Sequence, residues 1–409
     1  MLERVQKRLR YAPGVYSMKS CAKLSEMLMD IVAREGFLEE EEKALYRSLA
    51  RIQLSKEEEG YSLFQSLRES NEFCGLDPVC RGRLLAVLFR IYGKILEIKE
   101  LCRYYPDPAE VHPVHYRPLD RLKGYLEETS EQSDSEEKPK RSGGLSLWNV
   151  AYMNDFNEGE SFGTLMNRLC SRDKSITRYV PKLHPQSTDE DLLPFGEKNI
   201  YTTSFSLSKD TIPMWVVYAD NAKGCAVTYS EDFLNLRAAK DSLTDVATYS
   251  DADYPLYRVQ YIDTKNIDKS ELSEELPEIQ EILSGICGLL DQLNECLSDP
   301  SEQAPAAQAA RKVIESFVGN CLNEVRFLIK DKEYESEEEV RMIHYSREHS
   351  LETEHSPIPR LFIRMDREVR FEEVMLGPKI DDFDANEIAV WLYQTGKVKH
   401  IVRSKRHYR

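Results

Sequence analysis

The sequence predicts an α+β protein: an N-terminal helical bundle, then a mixed α+β domain with a split antiparallel sheet. Three observations predict it. Apolar residues recur at three-to-four spacing from residue 15 to about 105, the period of an amphipathic helix. From about residue 113 short runs rich in aromatic and β-branched residues take over. A long helical interval then divides those runs into two groups, as in α+β folds rather than strictly alternating ones.

The first region is assigned to residues 1–108. "CAKLSEMLMDIVAREG" sets Leu24, Met27, Leu28 and Ile31 on one helical face and stops at Gly36. "EEEEKALYRSLARIQL" repeats the pattern, as does "DPVCRGRLLAVLFRIYGKILEIKELC", which opens at Asp77-Pro78, a residue pair suited to a helix start. No internal repeat is evident, and the region reads as a cap or a partner-binding unit. Four prolines in "YYPDPAEVHPVHYRP" end it and mark a boundary near Tyr105–His112.

The second domain is assigned to residues 113–409. Its β-type runs are "GGLSLWNV", "NIYTTSFS", "MWVVYA", "GCAVTYS", "YRVQYID", "VRMIHYS" and "RLFIRM", although Ile212 to Tyr218 also suits a helical turn. A helical insert spans about 268–330. "EETSEQSDSEEKPKRSGG" (Glu127–Gly144) and Ser298–Pro305 read as surface loops, the first a mobile one.

Bulk properties narrow the function. A net charge of -16 disfavours broad, sequence-independent nucleic-acid binding, which needs a basic face to displace counterions. The last fourteen residues, "GKVKHIVRSKRHYR", nonetheless hold six Lys/Arg and no acid. Nine cysteines without a C-x-x-C pair read as unpaired thiols in a reduced, cytoplasmic protein, and no metal site is signalled. "LLAVLFRIYGKIL", interrupted by Arg90 and Lys94, is too short and polar to span a bilayer, and "MLERVQKRLRYAPG" lacks the apolar core of a signal peptide, so no membrane partner is expected.

Three places carry candidate chemistry. Around "HYRPLDRLKGYL" and "LSLWNVAYMNDFNEGE", His115 and Tyr116 precede a helix near Leu119, while Asn154 and Asp155 form a turn that is as well suited to bonding its own backbone as to touching a ligand. In "YTTSFSLSKDTIPMWVVYADNAKG", strand alternation gives Ser204 and Ser206 one face. Trp215 and Tyr218 follow on one side of a turn, with Asp220 after them; as single aromatics, both are equally at home in a core. In "KDKEYESEEEVRMIHYS", a strand would align Glu337, Glu339 and Arg341 on one face, the acidic run otherwise being an ordinary solvated segment. A solvent-facing Glu339 would contribute little stability.

Those stretches, with "VMLGPKI" and the terminal "SKRHYR", occur in an order that resembles the bacterial family catalogued as domain of unknown function 2971, over about residues 113–409. More distantly the order resembles the ADP-ribosyltransferase fold. That resemblance implies NAD as co-substrate. His115, Tyr116, Ser204 and Ser206 would bind it, with Trp215, Tyr218 and Arg341 around it. Glu337 or Glu339 would act as the catalytic carboxylate, and Asn154, Asp155 and Asp220 would support the loops. Arg117-Pro118 departs from the pattern, standing where related sequences tend to carry a small hydroxyl residue. The implied activity is ADP-ribosyl transfer to an unknown protein or nucleic-acid acceptor, or NAD hydrolysis, in a toxin or phage-defence effector. The alternatives are a non-catalytic interaction or regulatory module whose N-terminal helices meet a protein partner and, disfavoured by the overall acidity, a nucleic-acid-directed protein using the basic C-terminal tail.

Overall fold

The computed structural model describes residues 67, 70–104, 112–126, 144–150, 159–170, 179, 200–230, 233, 239–240, 247–248, 256–265, 276–297, 305–345, 349–352, 359–365 and 369–408. Asn154 and Asp155, the helices expected before residue 67, and most of the two expected surface loops lie outside them.

Eight helices are used below: α1 (Asn71–Cys74), α2 (Pro78–Cys102), α3 (Leu119–Leu126), α4 (Glu160–Leu169), α5 (Ile212–Tyr218), α6 (Leu276–Leu297), α7 (Pro305–Arg326) and α8 (Asp382–Gln394). The strands are β1 (Val114–Arg117), β2 (Ser146–Asn149), β3 (Ile200–Ser206), β4 (Cys225–Tyr229), β5 (Ala239–Lys240), β6 (Ala247–Thr248), β7 (Leu256–Arg258), β8 (Gln260–Ile262), β9 (Ile329–Asp331), β10 (Glu339–Tyr345), β11 (Ser350–Glu352), β12 (Arg360–Arg364), β13 (Phe371–Leu376) and β14 (Val398–Arg403).

Helix α2 starts where the sequence says it should. The Asp77 carboxylate accepts from the N–H groups of Val79 and Cys80 at 2.9 and 3.1 Å, filling donors that no helical carbonyl can reach. Beyond that start α2 is apolar around most of its circumference, which buries it. Leu84, Leu88, Phe89, Ile91, Ile95 and Ile98 share one core with α4, α6, α7 and sheet residues Ile200, Tyr257 and Ile343. A buried Lys99–Glu324 ion pair at 2.6 Å joins α2 to α7. Of the expected N-terminal helical region, the described residues hold α1 and α2, and α2 packs with the later helices.

The main sheet runs β11-β12-β2-β3-β1-β4-β13-β14, with β10 on the other edge of β3 and β7 beyond it. The expected split antiparallel sheet is corrected to a mixed one, because β13 and β14 are parallel. Parallel neighbours need a crossover, and α8 supplies it, its first turn capped by Asp381 accepting from the Asp384 N–H. Strands β1 and β2 lie along the same edge of β3 at different heights, Val114 beside Ser206 and Trp148 beside Thr202. Helices cover both faces. The α2/α4/α6/α7 layer and, separately, Met214 and Trp215 of α5 pack on one; Leu122 and Leu126 of α3 and Ala385 and Leu392 of α8 pack on the other.

Cys170 and Cys287 form a disulfide between the end of α4 and α6, with Cα atoms 5.5 Å apart. This corrects the expectation of unpaired thiols. The partners are 117 residues apart, so only helix packing brings them together. No helix among the described residues is long and apolar enough to cross a membrane.

Candidate functional site

The site is built where β3 and β10 meet. Their antiparallel register pairs Glu339 with Ser206 and Arg341 with Ser204. Directly paired residues project to the same side, so both serines, Glu339 and Arg341 share one face. Glu337 does not belong to that strand, as alternation had suggested. Residues Lys332–Glu337 form a 3-10 turn, started by Asp331 accepting from the Glu333 N–H and ended by Glu338 at φ 43°. A non-glycine residue in that left-handed region breaks strand geometry, and β10 begins only at Glu339.

Glu337 reaches the same place by another route. Its carboxylate accepts from the Tyr218 hydroxyl at 2.6 Å and from Lys330 Nζ at 2.8 Å, while its carbonyl accepts from the Ser206 hydroxyl at 2.6 Å. Glu339 lies deeper. Arg341 donates from Nε and Nη2 to one carboxylate oxygen at 2.8 and 2.6 Å, and Lys330 donates to the other at 3.2 Å. Its backbone N–H is taken by the Tyr261 hydroxyl at 2.8 Å. Burial alone would raise the Glu339 pKa. Arg341 first and Lys330 second outweigh it and hold the carboxyl down at about 2. The Ser204 hydroxyl sits near enough to favour the ionised form, yet it is buried and completes no hydrogen bond of normal geometry. Of the two carboxylates Glu337 is the more open, its side chain 13% exposed against 4%.

Trp215 and Tyr116 stand behind this group as scaffolding. Trp215 is fully buried, edge-on to the Tyr116 ring at 5.0 Å, and its indole N–H donates to Asp210 at 2.9 Å. The Tyr116 hydroxyl donates to the Ser208 carbonyl and accepts from the Asp210 N–H. Asp210, at φ 61°, also receives the Ser404 hydroxyl and the Lys405 N–H, tying the basic C-terminal segment to the start of α5. Asp220 is exposed, in a left-handed turn with Asn221 and Ala222. That turn docks so tightly on Gly377 that a Cβ there would lie 2.4 Å from the Ala222 carbonyl.

His115 goes elsewhere. Val114 is the residue paired with Ser206, so His115 projects from the opposite face, packing edge-on against Phe205 at 5.5 Å. Burial and then the Arg117 charge hold its pKa well below 6.5. The structure thus gathers Ser204, Ser206, Tyr218, Glu337, Glu339 and Arg341, and separates His115 from them. Sequence reasoning missed Lys330, which bridges both carboxylates, and Tyr261 beside it in the parallel β8/β9 pair. The β-type run of Tyr261 was legible; Lys330 fell at the end of the expected helical insert and is corrected to a strand, β9.

Residues 214–342 match the family model of a protein of unknown function, DUF2971. The matched segment runs from α5 through Glu337, Glu339 and Arg341 and stops within β10. No curated protein and no solved structure matches the chain significantly.

Proposed function

We propose that the protein acts on NAD, as an ADP-ribosyltransferase or an NAD glycohydrolase of the toxin or defence type, with Glu337 as the working carboxylate. The observation that carries the reading is the β3/β10 register, which sets a hydroxyl without a settled partner, Ser204, on the face of two carboxylates fixed by Lys330 and Arg341.

In this scheme the bond from the ribose carbon to nicotinamide breaks and its electron pair leaves with nicotinamide. Positive charge then develops on the sugar. Glu337, oriented by Tyr218 and Lys330, accepts a ribose hydroxyl and stabilises that charge, as glycosyl transfer requires. An acceptor oxygen or water forms the new bond to the same carbon and gives up its proton. Ser204 contacts the sugar, and Ser206 fixes the Glu337 backbone. Glu339, saturated by Arg341 and Lys330, positions the network without touching substrate. His115 has no part in it.

The non-catalytic reading is favoured by two specific observations: the complete pairing of Glu339 and the displacement of His115. Incubation with nicotinamide-labelled NAD and a cell lysate as acceptor source separates the two. Release by wild type that is lost in Glu337→Gln supports the enzyme; no release by folded wild type, or equal release by both, supports the interaction module.

A further inference from the structure

Behind the sheet, opposite Glu337, lies a buried cation without a counterion among the described residues. Arg117 ends β1 at 7% exposure. Its Nη2 donates to the Tyr125 hydroxyl at 3.2 Å and lies 3.5 Å from His115 Nε2; the Tyr125 ring centroid is 4.2 Å from the guanidinium carbon. The Nε and Nη1 groups are buried and donate to nothing.

The groups acting on Arg117 are Tyr125, Tyr229 and Cys225, with no carboxylate among them. Burial pushes the Cys225 thiol up to about 12 and raises Tyr229 as well, while His115 stays neutral. A charge enclosed without a counter-charge, with donors unfilled, is a costly arrangement for a fold to keep. It becomes favourable once an anion fills those donors, because charge-assisted bonds to a guanidinium are the stronger kind.

We propose that Arg117, with His115, Tyr125 and Tyr229, forms a binding site for a small oxyanion, the carboxylate or phosphate group of a small-molecule ligand. The unused donors have no open surface, so entry requires a side chain to move. Tyr125 is that side chain: it is part-exposed on the eight-residue helix α3 and lies against the guanidinium. Its ring swings aside, and the anion takes the guanidinium N–H groups in its place. The site is on the opposite face of the sheet and does not depend on the NAD reading.

The test compares thermal midpoints of the full chain in sodium chloride, sodium phosphate and sodium acetate at equal ionic strength, for wild type and Arg117→Met. The expected result is a rise of several degrees over chloride for wild type, in phosphate or in acetate, that is absent in Arg117→Met. The effective salt tells phosphate from carboxylate recognition. No rise for wild type in either salt, or an equal rise in the variant, overturns the proposal. If Arg117→Met does not fold, wild type labelled with ¹⁵N-arginine decides: a protected Nε–H resonance moving saturably on titration with phosphate or acetate supports the site, and no moving resonance rejects it.

Discussion

Val114 pairs with Ser206 across β1 and β3, and that single register turns His115 away from the carboxylates. A one-residue slip would reverse every side chain of β1. The expected imidazole–hydroxyl–carboxylate grouping is thereby reduced to hydroxyls, a tyrosine and two carboxylates, bridged by a lysine.

Removing Glu339 now has a different expected cost. It lies at 5% exposure between two cations instead of facing solvent. Glu339→Ala leaves Arg341 enclosed with one partner gone, and breaking a buried pair in this way costs about 3–5 kcal/mol. Urea unfolding of the purified variant checks it; a midpoint equal to wild type would return Glu339 to the surface.

Acid should weaken the protein in two stages. The Glu339 pKa is depressed on folding, so its contribution is complete above the ordinary value of 4.5 and is lost as pH falls toward about 2. His115 stays neutral in the fold, so below 6.5 the unfolded chain takes up a proton that the native state refuses, and stability again falls with pH. Unfolding free energies of wild type and His115→Asn between pH 7 and 5 isolate the second stage. The variant should show the flatter slope, and parallel slopes would contradict the assignment.

Much of this was legible beforehand and some could not have been. Asp77-Pro78, Leu119 and the β3 alternation announce their elements locally, through capping chemistry and side-chain period. Lys330, Cys170–Cys287 and the side taken by His115 depend on which strands and helices become neighbours, and residues 117 apart leave no local trace of pairing. The parallel β13/β14 pair escaped for the same reason, since strand direction follows from the crossover of α8.

The disulfide gives a third expectation. Crosslinks across long loops typically stabilise by about 2–4 kcal/mol. Cys170→Ser with Cys287→Ser should therefore melt several degrees below the oxidised wild type, with reductant lowering wild type alone. Identical melting of both, with and without reductant, would show that the bridge does not form.

Asp210 should control the order of the C-terminal segment. Its carboxylate and carbonyl hold Ser404, Lys405 and Arg406. Asp210→Ala is expected to speed hydrogen exchange at residues 404–408 and at the start of α5, with the α2/α6/α7 core unaffected. Unchanged exchange in that segment would mean that other contacts suffice.

The most direct test of the central claim is to see where NAD binds. A crystal structure of Glu337→Gln with NAD should show the nicotinamide ribose against Ser204, Tyr218 and the residue at 337, on the face of β3 shared with Arg341. Ribose density beside His115 and Phe205 on the opposite face, or no bound NAD at saturating concentration, would contradict it.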